Sequence, residues 1–512
     1  MLLDSSPRAL STSVAYAVVA AVIGKIAWQW FRLRRIPGPF LAKLTNLPRA
    51  YWVWSRRPHE IHIELHEKHG HLVRFGPNMV SAGNAQEVDK IYRLHSPLGK
   101  ACYSPDCGSD FYHVILPMSK GKILPGLFAT QDEGIHRMLK RPIGGIYSMS
   151  NLTSFESLVD ATIEAFMEQL DKRFVKTRAV CDWGLWLQYF AFDVVGEITF
   201  STRLGFLEHG KDIDGIMDSI WRWFQYVAVV GQIPWVDYLW VKNPIVSRLR
   251  PASWSPMVAF AVKQQNEREA KMAAGEPVNS KDFLSRFLAA MEKDPSIPKW
   301  ALTAWTSSNV LAGSDTTAIF LRTLFKNLGE HPQTLQKLRA EIDAARARGE
   351  LSRIVTWKES RRLPYLEACI QEAGRIHPPF GLNLERVVPA GGIEISGEHI
   401  PEGTIVGMNA WVVHRDRQVF GADADKWRPE RWIEADPVQR KKMDDGLLTF
   451  GAGHRTCLGK HISLLEIYKL VPTILQEYEF TFANPSKVWR VENRWFVPQF
   501  DFMAYISKRT LV

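Results

Sequence analysis

The chain has 512 residues, 46% of them hydrophobic and 23% charged, the balance of a globular protein with a large core rather than a disordered or low-complexity one. Its net charge of +10 is spread along the sequence with no nucleic-acid-binding motif beside it, which sets a nucleic-acid partner aside. Five cysteines without framework spacing exclude a disulfide scaffold and fit a reducing compartment in which one cysteine does chemistry.

In chain order, Ser11–Phe31 is apolar over about the length a helix needs to cross a bilayer. Trp28 and Trp30 suit an interfacial belt, and Lys25 reaches toward the interface by snorkelling. Arg32, Arg34 and Arg35 follow, which puts the C-terminal flank in the cytoplasm and argues for a retained anchor over a cleaved signal peptide. Residues 1–31 are therefore read as a single-pass anchor and 32–50 as a basic, proline-rich hinge, with Ile36-Pro37-Gly38-Pro39 breaking the helix. Residues 51–512 read as one catalytic domain.

That domain reads as mainly α with small β-sheets. Pro58–His69 is predicted as a helix closed by Gly70, and Leu72–Phe75 with Met79–Ser81 as a hairpin. Helical periodicity recurs over Ser154–Arg173, Trp183–Phe200, Lys299–Leu328 and His331–Ala345. Short strands return in Val387–Ile395 and near the C-terminus. Basic clusters Arg137/Lys140/Arg141 and Arg440/Lys441/Lys442 would attract anionic lipid or an acidic protein. Cys102 and Cys107 are close in sequence, but no second ligand pair follows at zinc spacing.

Ala312-Gly313-Ser314-Asp315-Thr316-Thr317 interrupts a long apolar helical pattern with residues that disfavour a helix interior. Gly313 is expected to leave room for a small ligand, hydroxyls bonding back to carbonyls to open the helix locally, and Asp315 with Thr316 to deliver protons. Further on, Glu372 and Arg375 stand at i and i+3 on one helix face. The most informative stretch is Phe450-Gly451-Ala452-Gly453-His454-Arg455-Thr456-Cys457-Leu458-Gly459-Lys460. It sets one cysteine after a glycine turn and before a helix, whose N–H groups and dipole are expected to lower the thiol pKa. Gly451 and Gly453 allow the backbone to lie against a flat cofactor, and Arg455 is placed to pair with a carboxylate.

Phe450, Gly453, Arg455, Cys457 and Gly459 resemble the haem-binding signature of the cytochrome P-450 superfamily. The 312–317 segment is similar to that family's oxygen-activation motif, and Glu372-x-x-Arg375 with Pro429-Glu430-Arg431-Trp432 to its structural brace. The stretch from Pro378 to Arg431 looks like filamentous-fungal members of secondary metabolism, the pisatin demethylase-like group among them. The resemblance implies a cytochrome P-450 fold behind an N-terminal transmembrane helix, with haem b bound through Cys457. It also implies an endoplasmic-reticulum membrane protein with a cytosolic catalytic domain. Thr316 would hydrogen-bond bound O2 and Asp315 would relay protons. Arg455, His136, Lys140 (or its neighbour Arg141) and Arg386 would contact the cofactor's propionates, with Phe450, Gly451 and Gly459 against the ring.

The implied activity is monooxygenation of a lipophilic small molecule such as a terpenoid, polyketide or alkaloid intermediate. Electrons would come from NADPH through a separate NADPH-cytochrome reductase, since no flavin or nicotinamide fingerprint occurs in the sequence. An O2-independent haem-thiolate isomerase or dehydratase, and a non-enzymatic membrane haem-binding protein, are the alternatives. An aromatic window from Trp221 to Trp240 (Trp221, Trp223, Phe224, Tyr226, Trp235, Tyr238, Trp240) would roof an apolar pocket. Phe111, Val114, Leu127, Ser308, Leu311, Leu382, Leu384 and Phe496 would line it.

Overall fold

The computed structural model describes residues 7–92, 98, 110–119, 122–249 and 256–510; Cys102 and Cys107 lie outside them. Helix α1, Pro7–Arg32, opens the chain. Its segment Ser13–Arg32 has a mean hydropathy of 1.5, and none of it is buried against the rest of the protein. The helix ends where Pro37 and Pro39 make continuation impossible. The short helices α2, Phe40–Leu44, and α3, Leu47–Trp54, follow. This stretch is packed onto the domain: Leu33, Ile36, Ala42 and Val53 are buried, and the Arg74 N–H donates to Pro37 O at 2.7 Å.

Helix α4 spans Pro58–His69, with proline in its first turn and Gly70 at φ 89° after its last residue. Strands β1, Leu72–Gly76, and β2, Met79–Ala82, pair antiparallel with Val73 opposite Ser81. The expected hairpin is present. Helix α5, Glu133–Lys140, is started by Asp132, whose carboxylate accepts from Ile135 N at 2.9 Å. Helix α6, Glu156–Leu170, runs into a π turn at Asp171–Val175. Strand β3 is Cys181–Asp182, and Asp182 caps helix α7, Trp183–Phe200. Apolar on every side, α7 is buried throughout. Helices α8, Ile216–Val230, and α9, Trp235–Leu239, follow.

Helix α10, Trp300–Glu330, crosses the molecule and packs along α7. Helices α11, Pro332–Ala347, and α12, Pro364–Ile376, follow. Strands β4, Arg386–Val387, and β5, Ile405–Gly407, complete the first sheet in the order β1-β2-β5-β4. Its β2–β5 pairing is parallel, with Val80 beside Val406. Helix α13, Lys460–Glu477, leads into β6, Tyr478–Phe482. Strand β7, Met503–Lys508, joins β6 to β3 in a second sheet. A large core surrounds α7, α10 and α13, and a smaller one lies under the first sheet.

The brace anticipated from Glu372, Arg375 and Arg431 forms with no side-chain exposure at Glu372 or Arg375. Glu372 accepts from Arg375 Nε and Nη2 at 2.8 and 2.7 Å, Arg431 Nε at 3.1 Å, Trp432 Nε1 at 2.9 Å and Arg428 N at 2.9 Å. Removing the charge at its centre leaves the buried Arg375 without its carboxylate partner, while Arg431 keeps Asp423 at 3.0 Å. Glu372→Gln is therefore expected to lose about 3–5 kcal/mol of folding stability, read from the urea midpoint of the purified protein. A midpoint unchanged by the substitution would show that the carboxylate charge is not what holds these arginines.

Candidate active site

The cysteine loop is built by two left-handed glycines. Gly451 and Gly453 both sit at φ 67°, a conformation costly for any residue with a β-carbon. A 3-10 turn at Gly453–Arg455 follows, and Cys457 N donates to Phe450 O at 2.8 Å, closing the loop ahead of α13. The N–H groups of Gly459 and Lys460 reach the Cys457 sulfur, as the position before a helix implies. These N–H groups act to lower the thiol pKa, as expected from the sequence. Burial pushes the Cys457 thiol up, and these two N–H groups and the Lys460 charge offset it only in part.

Cys457 is enclosed by the fold yet open to a cavity of about 1760 Å³, bordered by Phe450, Gly451, Arg455, Cys457 and Gly459 on the loop side. Ala312, Gly313 and Thr316 of α10 also border it. Cys181 and Cys369 are buried in the core. Thr316 Oγ1 donates to Ala312 O at 2.7 Å and Ser314 Oγ to Val310 O at 2.7 Å, the back-bonding read from the sequence. The helix is nevertheless continuous through this segment, so the expected local opening is absent. A β-carbon on Gly313 would lie 2.8 Å from Val195 Cγ2. Glycine here lets α10 close on α7 while its backbone still borders the cavity.

Asp315 points away from the cavity, where Gln188 Nε2 of α7 donates to it. Gln188 Oε1 in turn accepts from Arg322 Nη2 at 2.6 Å. Burial raises the Asp315 carboxyl to about 6, opposed by the Gln188 bond and the Arg322 charge. The carboxyl is thus poised in the range useful for proton transfer, one residue behind the hydroxyl that faces the cavity.

The cations beside the loop converge on an unexpected carboxylate. Glu133 Oε1 accepts from Arg455 Nη2 at 2.5 Å and lies 3.6 Å from His454 Nε2, and its Oε2 lies 3.5 Å from His136 Nδ1. Arg455 Nη1 donates to Thr130 O at 3.1 Å, while its Nε is buried without a partner. Lys140 Nζ donates to His454 O. His136, Lys140 and Arg455 all border the cavity; Arg141 does not. Burial opposes ionisation of Glu133, but hydrogen bonds from His136 and Arg455 and the Arg455 charge hold its carboxyl well below the usual range. Burial lowers His136 and His454, with Glu133 opposing in each case.

Arg386, also expected at this cluster, is buried beside it, with its charge acting on Arg455 and His454. Its guanidinium lies 4.8 Å from the Tyr92 ring centroid, its Nη1 donates to Glu385 O at 2.8 Å, and it does not border the cavity. Leu127, Ser308, Leu311, Leu382, Leu384 and Phe496 line the cavity, whereas Phe111 and Val114 are buried behind it. Phe111 stacks on Trp495 at 4.6 Å between centroids. The aromatic window divides: Trp223, Phe224 and Tyr226 face the cavity, while Trp235 and Trp240 are 61% and 57% exposed on the outside. The sequence reading missed Glu133, Phe128, Phe380 and the buried Glu466, all of which except Glu133 border the cavity. Only the Glu133-x-x-His136 spacing could have flagged the first.

These residues fit a flat apolar group with an anionic edge: an apolar cavity, a cysteine sulfur open to it, and clustered cations whose Arg455 Nε still lacks an acceptor. The sequence matches the cytochrome P450 family over residues 36–503, and the chain belongs to that family. It is similar to a cytochrome P450 monooxygenase of Aspergillus terreus, 54% identical over 91% of this chain and 94% of that protein. It is likewise similar to the cytochrome P450 monooxygenase cicH of Emericella nidulans, 52% identical over 93% and 94%. The cytochrome P450 monooxygenase pkfB of the same organism is 44% identical over 93% and 92%. The chain is an enzyme, a cytochrome P450 monooxygenase, and the family implies a haem-thiolate cofactor, O2, a redox partner and a small-molecule substrate.

The raised Asp315 carboxyl carries a pH signature. Its folded pKa, about 6, exceeds the ordinary 3.8, so between those values the folded state binds more protons than the unfolded one. Stability from this group therefore falls as pH rises from about 4 to about 6 and is flat above. The thermal midpoint of Asp315→Asn relative to wild type is expected to climb through that window and then level off. A difference that does not vary with pH would show that Asp315 is not held in this protonation equilibrium.

Proposed function

We propose that Cys457 would supply the thiolate ligand of haem b, with Arg455, Lys140 and His136 to bind its propionates and Phe450, Gly451 and Gly459 to lie against it. When bound, this group supplies the activation of O2 and the insertion of one oxygen atom into substrate, the other leaving as water. The chain's own residues exclude water, orient substrate and move protons. Thr316, its hydroxyl facing the cavity, is the proton-handling group nearest the reacting atoms, and Asp315 is the reservoir behind it. The hydroxyl hydrogen now rests on Ala312 O, which leaves its oxygen free to accept a hydrogen bond from a donor in the cavity.

The observation that carries this reading is the shared cavity that opens both the Cys457 sulfur and the Thr316 hydroxyl to an apolar interior. Leu127, Phe128, Leu311, Phe380, Leu382 and Phe496 favour a lipophilic substrate held mainly by shape, in keeping with an intermediate of fungal secondary metabolism. The Asp315–Thr316 pair favours O2-dependent oxidation over an isomerase or dehydratase, in which proton relay would be idle, and over a non-enzymatic haem carrier. Residues 1–31 act as the membrane anchor, 32–50 as the connecting segment and 51–512 as the catalytic domain, held at the cytosolic face of the endoplasmic reticulum. Exposed Phe40, Leu47, Tyr51, Trp54, Trp235, Leu239 and Trp240 support contact with the bilayer surface. Exposed Arg137 and Arg141 on α5 and just after it support docking of a separate NADPH-dependent flavoprotein reductase.

The reduced, carbon-monoxide-bound absorption spectrum tests the assignment. Wild-type protein is expected to show a red-shifted thiolate-type Soret band and Cys457→Ala to lose it. Thiolate character retained in the cysteine variant would sink the ligand assignment. Thr316→Ala is expected to keep the band while NADPH consumption, in a reconstituted system with reductase, uncouples from product; fully coupled turnover would sink the proton-handling role.

A further inference from the structure

We propose that Glu133, which belongs to none of the motifs, sets the charge of the propionate-binding cluster and so holds the reduction potential of the bound haem down. The inference rests on the haem assignment above. Its basis is the position of the carboxylate, bonded to Arg455 at 2.5 Å and within 3.6 Å of both His136 and His454. Arg455 is 4% exposed at its side chain and its other donors meet a carbonyl or nothing. Glu133 is thus the only anionic side chain on this guanidinium among the described residues.

Charge counting shows the consequence. Arg455, Lys140 and the neighbouring Arg386, whose charge acts on Arg455 and His454, contribute three positive charges and Glu133 one negative, for a net of +2, with both histidines shifted toward neutrality. Neutralising Glu133 adds one further unit of positive charge. A more positive surrounding favours the added electron, so the potential rises. Glu133 is about half exposed, so the effect is moderate and weakens as salt screens it. A purely structural role in the first turn of α5, where an acid suits the helix N-terminus, would change stability and leave the potential alone.

The test is spectroelectrochemical titration of the haem-loaded full chain with a charge ladder at this position. Glu133→Asp is expected to stay at the wild-type potential, with Glu133→Gln above it and Glu133→Lys higher again. For Glu133→Gln the ferric-to-ferrous ratio at a fixed applied potential should fall at least threefold, about 28 mV at 59 mV per decade for one electron, and less in high salt. Wild-type potentials in both the glutamine and lysine variants, with the thiolate band intact, would overturn the role of Glu133 alone. Loss of haem from both would equally overturn it, by making the residue a requirement for binding. A wild-type chain without a thiolate band would instead overturn the haem assignment and this inference with it.

Discussion

A carboxylate with no exposure must collect enough donors to replace water, and the site depends on how Glu372 does so. Its partners come from α12 and from the 428–432 segment, so two distant parts of the chain can bury their charges only by docking together. Buried ion pairs add little stability against an apolar substitute, but they tolerate one geometry and punish others. Arg375 extends the constraint by donating to His414 O and Ala424 O. His414 Nδ1 lies 2.9 Å from Arg375 O, and its Nε2 accepts from Leu448 N at 2.7 Å. That acceptance requires the neutral ring with its proton on Nδ1. Burial enforces it by lowering His414 to about 3, against the Arg375 carbonyl bond and with the help of the neighbouring arginine charges. Thr449 Oγ1 donates to Gly374 O at 2.8 Å. The cysteine loop therefore starts from two points fixed to the brace, nine and eight residues before the sulfur.

The opposite wall is set by apolar packing. Helix α10 lies on α7 closely enough that a single methyl at Gly313 would meet Val195, and Thr317 Oγ1 meets Ser463 Oγ of α13 at 3.0 Å. With one wall pinned by ionic bonds and the other by close packing, the space between them keeps its width without contacts of its own. Its polarity is uneven: an apolar interior, cations gathered near Arg455, and a hydroxyl at Thr316. Such a cavity orients an occupant by where its charge can go.

Features specified by nearby residues were legible in the sequence. The bounds of α4 and α7 follow from Pro58, Gly70 and the Asp182 cap, and the loop from its glycines. The brace was expected from the resemblance of Glu372-x-x-Arg375 and Pro429-Glu430-Arg431-Trp432 to a family motif, since the i, i+3 spacing alone offers only a local pair. Long-range partners were not. The direction of Asp315 is decided by Gln188, 127 positions away, and Arg386 is drawn under Tyr92 from the far side of the chain. Phe111 fails as a lining residue because Trp495, from the C-terminal region, covers it. Glu133 was invisible for the same reason: its partner Arg455 is 322 positions distant.

At the Cys457 thiol, the local donors and the surrounding packing act in opposite directions. The N–H groups of Gly459 and Lys460 do reach the sulfur, and each favours the anion by a charge-assisted hydrogen bond. Desolvation, which depends on everything packed around the loop, outweighs them. A bound metal cation deprotonates a coordinating thiol outright, so the loop is not needed to create the charge. Its donors at Gly459 and Lys460 bond the sulfur of a cysteine that borders the cavity. Donation of electron density through that sulfur tunes a thiolate-ligated iron, and hydrogen bonds to the sulfur moderate it. The loop geometry is better understood as control over an anion than as its source.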